Sequence, residues 1–149
     1  MALVDIITPE VVKVPLEARD KPEVIRELVQ ILKDAGKIKD LDSVVEAIHQ
    51  REQKGSTGLE SGIAVPHAKT AAVKTLTVSI GISRRGIDFD SMDGKPSQLF
   101  FLILASPDQS GPHIEALAEI ARLTRTRAFC KAMLNAGSPQ EVVSLFRED

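Results

Sequence analysis

The sequence predicts a layered α/β domain, and three features of its apolar patterning support that fold class. Apolar residues recur at helical spacing in both terminal parts of the chain. The middle of the chain instead contains one alternating segment and one continuously apolar segment, as strands do. Strands grouped between helices are typical of a sheet covered by helices. The length of 149 residues fits a single domain over 1–149.

The first third of the chain predicts one strand and two helices. Asp20 can cap the first helix, Glu23 can complete a capping box, and Gly36 is a plausible stop. The second helix is expected to end before a glycine-rich turn. The expected elements are a strand at 10–14, a helix from 20 to 36, a helix at about 42–53 and a turn at 55–58.

The rest of the chain predicts three strands and then three helices. A short apolar segment before Pro66 reads as a strand that the proline stops. A later segment alternates apolar and polar residues, and the next is apolar on both faces, as a central strand should be. The expected strands are 63–65, 75–83 and 99–104, and the expected helices start after the loop 106–111 and lie near 127–135 and 138–146.

Composition and charge exclude several classes of protein. The 19 Lys and Arg residues against 21 Asp and Glu give a net charge of -2, so no basic field predicts nucleic-acid binding. The longest apolar run, 99–105, is far shorter than the roughly 20 residues that span a bilayer. Residues 1–5 show no cationic leader, and Cys130 has no disulfide partner. We therefore expect a cytoplasmic protein without membrane insertion, with Cys130 as a small buried hydrophobe.

Three histidines are the candidate reactive groups. His49 lies inside the second helix among polar neighbours and is expected to be a solvated or half-buried helix residue. His67 follows Pro66, where the chain is expected to leave the sheet, and strand ends often carry active sites. His113 lies at the start of the long helix, whose N-terminus attracts anions and disfavours imidazolium. A plain surface histidine is an equally open interpretation of His113.

A neutral histidine can serve as a nucleophile toward phosphorus. Phosphoryl transfer requires mainly positioning and stabilisation of spread negative charge. Arg51 and Lys69 are nearby cations in sequence, and Ser56 and Thr57 supply donors in the glycine-rich turn. The histidine spacing matches no short zinc motif, and no Walker loop occurs. The sequence therefore predicts no metal and no other cofactor.

The residues around His67 resemble a known signature. Arg51-Glu52, Ser56-Thr57-Gly58 and the segment 62–67 together resemble enzyme IIA of the fructose/mannitol class, in the bacterial phosphoenolpyruvate-dependent sugar phosphotransferase system. The resemblance covers nearly the whole chain and implies a mixed β-sheet with helices on both faces. It implies that His67 accepts a phosphoryl group from the phosphocarrier HPr and passes it to a cysteine of an enzyme IIB.

The resemblance also implies roles for other residues. His113 matches the family's second active-site histidine, and Arg51 matches the arginine that holds the charge. Ser56 and Thr57 match the hydroxyl-bearing turn, and His49 matches no functional position. The family also includes nitrogen-related regulators, in which phosphorylation marks a state, so that function stays open. A metal-dependent hydrolase using the three histidines is the weaker alternative.

Two expectations concern the segment just before His67. Glu60 stands where the family often has glycine, so it either lies in a differently shaped loop or places a carboxylate near the phosphoryl site. A shallow apolar patch is expected to dock partner proteins, with Leu59, Ile63 and Val65 as candidates, although core burial is the stronger expectation for Ile63.

Overall fold

A mixed sheet forms the middle layer of the computed structural model, which describes residues 3–147. Residues 1, 2, 148 and 149 lie outside the described residues. The first two of these belong to the segment 1–5, for which no cationic leader is expected. Strands β4 and β5 are antiparallel neighbours, β1 joins β4 in parallel, and both β2 and β3 join β5 in parallel. The strands are β1 Val12–Lys13, β2 Ile63–Ala64, β3 His67–Lys69, β4 Thr77–Ile87 and β5 Ser97–Ala105.

Five α-helices cover the two faces of the sheet. The alternation of β5 sends Phe100 and Leu102 into a core beneath α1 and α2, whereas Phe101 and Ile103 enter the core beneath α3, α4 and α5. This arrangement confirms the predicted α/β fold class, with a mixed sheet and helices on both faces. The helices are α1 Lys21–Asp34, α2 Leu41–Gln53, α3 Ser110–Thr124, α4 Arg127–Asn135 and α5 Pro139–Arg147.

Local signals place α1 and α2 close to their predicted positions. Asp20 caps α1, since its side chain accepts a hydrogen bond from the backbone N–H of Glu23 at 2.9 Å. Gly36 follows the helix with a φ of 75°, a conformation that glycine adopts without steric cost. Asp40 caps α2 in the same way, and that helix ends at Gln53 as expected. Within residues 3–147 no helix is long and apolar enough to cross a membrane.

The structure corrects two strand predictions. The strand expected at 10–14 is only two residues long, because Pro9–Val11 forms a 3-10 turn that Pro9 can initiate. The expectation that the chain leaves the sheet at Pro66 is wrong, since its carbonyl accepts from the backbone N–H of Ile103 at 3.0 Å and β3 follows directly. Because the nitrogen of Pro66 also faces β5 and has no hydrogen to donate, the pairing is interrupted between Ala64 and His67. The two short strands therefore form one interrupted edge beside β5.

Candidate functional site

The ring of His67 has a defined orientation at the start of β3. Its Nδ1 lies 2.8 Å from the backbone carbonyl oxygen of Val65. A carbonyl only accepts hydrogen bonds, so Nδ1 carries the hydrogen and donates it. The lone pair of the neutral ring then belongs to Nε2. The backbone of the preceding strand therefore selects which nitrogen of His67 is available as a nucleophile.

His113 lies beside His67 in the first turn of α3. The two ring centroids are 5.3 Å apart, with the planes inclined by 66°. His113 is buried, at 6% exposure, and its Nε2 has no hydrogen-bond partner among the described residues. The amide oxygen of Gln109, one turn earlier, is buried and unpartnered as well. Since buried polar atoms usually find partners, this end of α3 offers unused hydrogen-bonding capacity next to His67.

Burial lowers the pKa of both histidines. For His67 the loss of hydration is the main cause and the charge of Arg51 adds to it, while the hydrogen bond to Val65 opposes the shift. Burial also dominates the lowered pKa of His113, with further contributions from His67 and Lys69. Both shifts run downward from 6.5, so both rings are neutral at pH 7. His67 is thus in the protonation state that a nucleophile requires.

Two depressions of different character meet at His67. The larger, of about 770 Å³, lies between α2 and the start of α3 and is lined by Arg51, Lys54 and Lys69 as well as by both site histidines. We call it the basic depression. The smaller, of about 220 Å³, is lined by four apolar side chains and by Arg51, His67, Ser56 and Thr57. We call it the apolar groove, and its apolar residues are Leu59, Val65, Leu117 and Ala121.

The three cations of the basic depression have no acidic partner among residues 3–147. Arg51 donates from Nη1 to the carbonyl oxygen of Gly55 at 2.9 Å, and Lys69 donates from Nζ to the hydroxyl of Ser110 at 2.7 Å. Within the part of the chain that the structure describes, neither of them nor Lys54 forms an ion pair with a carboxylate. Unpaired cations around a neutral nucleophile favour a dianionic group at that place.

Ser56 and Thr57 lie at the site, but their hydroxyls are engaged within the loop. Ser56 donates to the carbonyl oxygen of Phe89 at 2.7 Å and accepts from the N–H of Gly58 at 3.0 Å. The hydroxyl and the backbone N–H of Thr57 both donate to the carboxylate of Glu52. Both side chains therefore shape the loop beside His67 in the state that the structure describes.

Glu52 supports the site through contacts that the sequence did not predict. Its side chain, 6% exposed, pairs with Lys21 Nζ at 2.9 Å. The same ammonium lies 4.7 Å from the ring centroid of Phe89 and 3.4 Å from Asp90 Oδ2. Glu52 follows Ile48 by four residues on the buried side of α2, and a carboxylate at a core-facing position was the available signal. Glu52 therefore connects α2 to α1 through the ion pair and to the loop of Thr57 through hydrogen bonds.

The structure confirms some of the remaining sequence-based expectations and contradicts others. Leu59 is exposed at 36% and lines the apolar groove. Ile63 is buried at 4%, which confirms the stronger expectation for it. Val65 lines the groove but is buried at 6%, so the expectation that it is a surface residue is wrong. Ile63 in β2 and Val65 just after it pack into the core beneath α3. His49 is half-buried on α2, as predicted, and outside both depressions. Cys130 is half-buried, and burial raises the pKa of its thiol.

Glu60 lies in the turn that connects Leu59 to β2. The N–H of Leu59 donates to the carbonyl oxygen of Ile63 at 2.7 Å, which closes the turn. The left-handed positions are Ser61 and Gly62, with φ of 61° and 80°. Position 60 therefore needs no glycine, and the exposed Glu60 lines neither depression at His67.

The similarity of this protein to a known family extends over almost the whole chain. A family model described as phosphoenolpyruvate-dependent sugar phosphotransferase system, EIIA 2, matches residues 5–149. The chain belongs to this family. An EIIA domain is a phosphotransferase component of that system. Among residues 3–147 no group of three or more His, Cys, Asp or Glu side chains is placed to hold a metal ion.

Two curated relatives of this EIIA chain are fructose-specific components. It is 36% identical over 99% of its length to the fructose-specific EIIABC component of Bacillus subtilis, but it spans only 23% of that longer protein. It is also 36% identical to the fructose-specific EIIA component of Haloferax volcanii, over 95% of this chain and 93% of that one.

Solved structures of EIIA proteins share the fold. The nitrogen regulatory protein IIA-Ntr of Neisseria meningitidis matches with a TM-score of 0.89 and 28% identity, over 96% of this chain and 97% of that one. The mannitol enzyme IIA of Escherichia coli, in complex with phosphorylated enzyme IIB, matches with a TM-score of 0.79 and 22% identity, over 94% and 96%. The second likeness establishes the fold alone.

Proposed function

We propose that this EIIA protein is a phosphocarrier in which Nε2 of His67 accepts a phosphoryl group from phosphorylated HPr and passes it to a cysteine of an enzyme IIB. One observation carries the proposal: a neutral histidine whose Nδ1 is bonded to Val65 presents Nε2 at a depression with three unpaired cations. The expected cargo is a fructose- or mannitol-type sugar, in keeping with the fructose-specific relatives.

The chemistry needs no further reactant. The Nε2 lone pair of His67 attacks phosphorus, an N–P bond forms, and the bond between phosphorus and the donor breaks with its electron pair going to the donor. The ring then carries positive charge, which the carbonyl of Val65 stabilises through its bond to Nδ1–H. In the second step a thiolate of the acceptor forms an S–P bond, and the N–P electron pair returns to Nε2. The charged ring is a good leaving group for that step.

His113 and Arg51 are proposed to stabilise the phosphoryl group during both steps. The buried, unpartnered Nε2 of His113 can hydrogen bond a phosphoryl oxygen without first losing another partner. Arg51 lines both depressions, and among residues 3–147 its guanidinium donates to a single acceptor, the carbonyl of Gly55. The N-terminus of α3 adds a favourable dipole. Ser56 and Thr57 are proposed as phosphoryl-binding residues that act mainly through the backbone of their loop.

A nitrogen-regulatory function is the second candidate, and a specific likeness favours it. The fold match to IIA-Ntr is closer, at a TM-score of 0.89, than the match to the mannitol enzyme, at 0.79. In that function the same phosphohistidine would change which partners bind, through the added negative charge. The two functions share His67 and differ in whether an enzyme IIB takes the phosphoryl group.

The decisive experiment measures intact mass after incubation with phosphoenolpyruvate, enzyme I and HPr. Wild-type protein should gain one phosphoryl group, and His67→Ala should gain none because the nucleophile is missing. His113→Ala should gain the group more slowly, by roughly 100-fold for one lost stabilising donor. His49→Ala, with a histidine outside both depressions, is the matched control and should behave as wild type.

A second stage separates the two candidate functions. Purified phosphorylated protein is mixed with fructose- and mannitol-type enzyme IIB domains, and loss of the phosphoryl group is followed by mass. Rapid transfer to an IIB cysteine supports sugar transport, whereas a phosphohistidine that persists with every such IIB supports regulation. Absence of any mass gain on the wild-type protein in the first stage overturns both.

A further inference from the structure

Lys69 occupies the same face of β3 as the proposed nucleophile. Side chains two residues apart on a strand point to the same side, so Lys69 follows His67 toward α3. Ala68, between them, packs into the opposite core beneath α1 and α2. The exposed ammonium of Lys69 and the ring of His67 both line the basic depression. Strand β3 thus places the flexible side chain of Lys69 two residues after His67 and on the same face.

The partner of Lys69 belongs to the same helix turn as His113. Its Nζ lies 2.7 Å from the hydroxyl oxygen of Ser110, the first residue of α3. Ser110 precedes His113 by three residues, so the two share one face of the helix. The charge of Lys69 also contributes to the lowered pKa of His113. Both observations place the ammonium close to where a phosphoryl group on His67 would meet the start of α3.

The bond between Lys69 and Ser110 joins a cation to a neutral group. Other lysines of this chain with short side-chain contacts have carboxylate partners, as Lys13 has Glu27 at 2.6 Å and Lys21 has Glu52 at 2.9 Å. A phosphoryl dianion is a stronger acceptor for an ammonium than a hydroxyl is. A lysine stem has several rotatable bonds, so its head can change partner without backbone movement.

We infer that Lys69 is a phosphoryl-binding residue of this protein, which exchanges the hydroxyl of Ser110 for a phosphoryl oxygen when His67 is phosphorylated. The inference rests on the proposed function and adds a third group to His113 and Arg51. No covalent bond to Lys69 forms. In the unphosphorylated protein the hydroxyl of Ser110 accepts a hydrogen bond from Lys69, and after phosphorylation the dianion accepts it instead.

The test is a phosphorus NMR titration of the phosphorylated protein. The second ionisation of a phosphoryl group has a pKa of about 6 and responds to nearby charge. Removal of the cation in Lys69→Met should raise that pKa by about one unit. The equilibrium constant for phosphorylation of the dianionic form should then fall about tenfold. Lys69→Arg keeps the charge and should restore most of both values.

Two further variants separate this role from a structural one. Lys37→Met removes an exposed cation that lines neither depression, and it should leave the phosphoryl pKa within a few tenths of a unit of wild type. Ser110→Ala frees Lys69 from its partner in the unphosphorylated protein, so phosphorylation should be as favourable as in wild type or more so. Lys69→Met is therefore expected to weaken phosphorylation, whereas Ser110→Ala is not.

Each outcome decides one question. If the wild-type protein takes up no phosphoryl group, the proposed function fails. If the wild type is phosphorylated but Lys69→Met has the same phosphoryl pKa and equilibrium constant, only the role of Lys69 fails. Equal losses in Lys69→Met and Ser110→Ala with an unchanged phosphoryl pKa would show that the pair merely braces α3, and they also overturn the inference.

Discussion

The ring of His113 meets the ring of His67 edge to face, with 5.3 Å between the centroids. The first comes from the start of α3 and the second from the edge strand β3, so the helix and the sheet edge together form the site. Two imidazolium cations at this separation would repel each other in a partly buried place. The neutral pair avoids that repulsion, and burial lowers the pKa of both rings accordingly.

The rate of His67 phosphorylation should fall to half of its maximum at a pH below 6.5. The ordinary pKa of 6.5 is lowered in the folded protein by burial, so most of the rings still have the Nε2 lone pair when the pH reaches that value. The rate should decline further at more acidic pH, as the ring becomes protonated. Stopped-time intact-mass measurements across this range check the profile, with free imidazole and the same donor as a reference. A half-maximal rate above pH 6.5 in the protein would contradict the lowered pKa.

Folding stability should fall as the pH drops below 6.5. An unfolded chain binds protons at both histidines near their ordinary pKa of 6.5, whereas the folded protein resists them. The unfolded state therefore holds more protons in this window, and the free energy of unfolding decreases toward the folded pKa values. Urea unfolding of wild type and His113→Ala at neutral and mildly acidic pH measures the effect. The variant should lose less stability between the two pH values, and an equal loss would contradict this assignment.

Much of the fold could be predicted because its signals are local. The cap at Asp20, the stop at Gly36 and the apolar period of α2 each depend on a few neighbouring residues. Strand β3 could not be read from His67–Lys69, because it is formed by pairing with the distant β5. Pro66 interrupts the edge strand, but the chain resumes pairing with β5 at His67.

The sequence suggested the reactive groups of the candidate site but not the residues that support them. It predicts His67, His113 and Arg51 as the groups for phosphoryl chemistry, and the structure places all three at one depression. The engagement of the Thr57 hydroxyl by Glu52 depends on how α2 meets the following loop. The pairing of Glu52 with Lys21 depends on the packing of α1 against α2, which residue spacing does not encode.

Glu52→Gln should lower stability and slow phosphoryl transfer together. The substitution keeps the shape of the side chain but leaves Lys21 without its 2.9 Å carboxylate partner. Removing one member of a largely buried pair should cost about 2 kcal/mol in the free energy of unfolding. Because Glu52 also holds the loop of Thr57 beside His67, the phosphorylation rate should fall as well. Urea unfolding and the intact-mass assay measure the two effects.

Thr57→Val is the matched control for Glu52→Gln. It removes the hydroxyl that donates to Glu52 but keeps the backbone N–H bond at 3.1 Å. The stability loss should be about 1 kcal/mol, smaller than that of Glu52→Gln. A larger loss in Thr57→Val would show that the hydroxyl, and not the carboxylate's pairing with Lys21, dominates the network.

Gly58→Ala should displace the loop beside His67. A Cβ at this position would lie 2.9 Å from the carbonyl oxygen of Phe89 and 2.9 Å from the Cα of Ser91, both backbone atoms. Because backbone cannot yield as a flexible side chain can, the substitution should cost roughly 1 to 3 kcal/mol. Gly111→Ala in the first turn of α3 meets nothing within 4 Å and should be neutral or slightly stabilising. Thermal unfolding of both variants tests the contrast, and equal midpoints would contradict it.

Leu59→Asp should impair transfer between proteins without changing the fold. Leu59 is 36% exposed and lines the apolar groove next to His67, where a partner's apolar side chain can pack. A carboxylate there adds a charge that a partner must desolvate, so the second-order rate with phosphorylated HPr should fall about tenfold while the unfolding midpoint stays constant.

Glu60→Gln is the matched control on the neighbouring exposed residue. Because Glu60 lines neither depression, that variant should transfer at the wild-type rate. A faster Glu60→Gln would show that the native carboxylate opposes the phosphoryl group, and an unaffected Leu59→Asp would exclude the apolar groove as a docking surface.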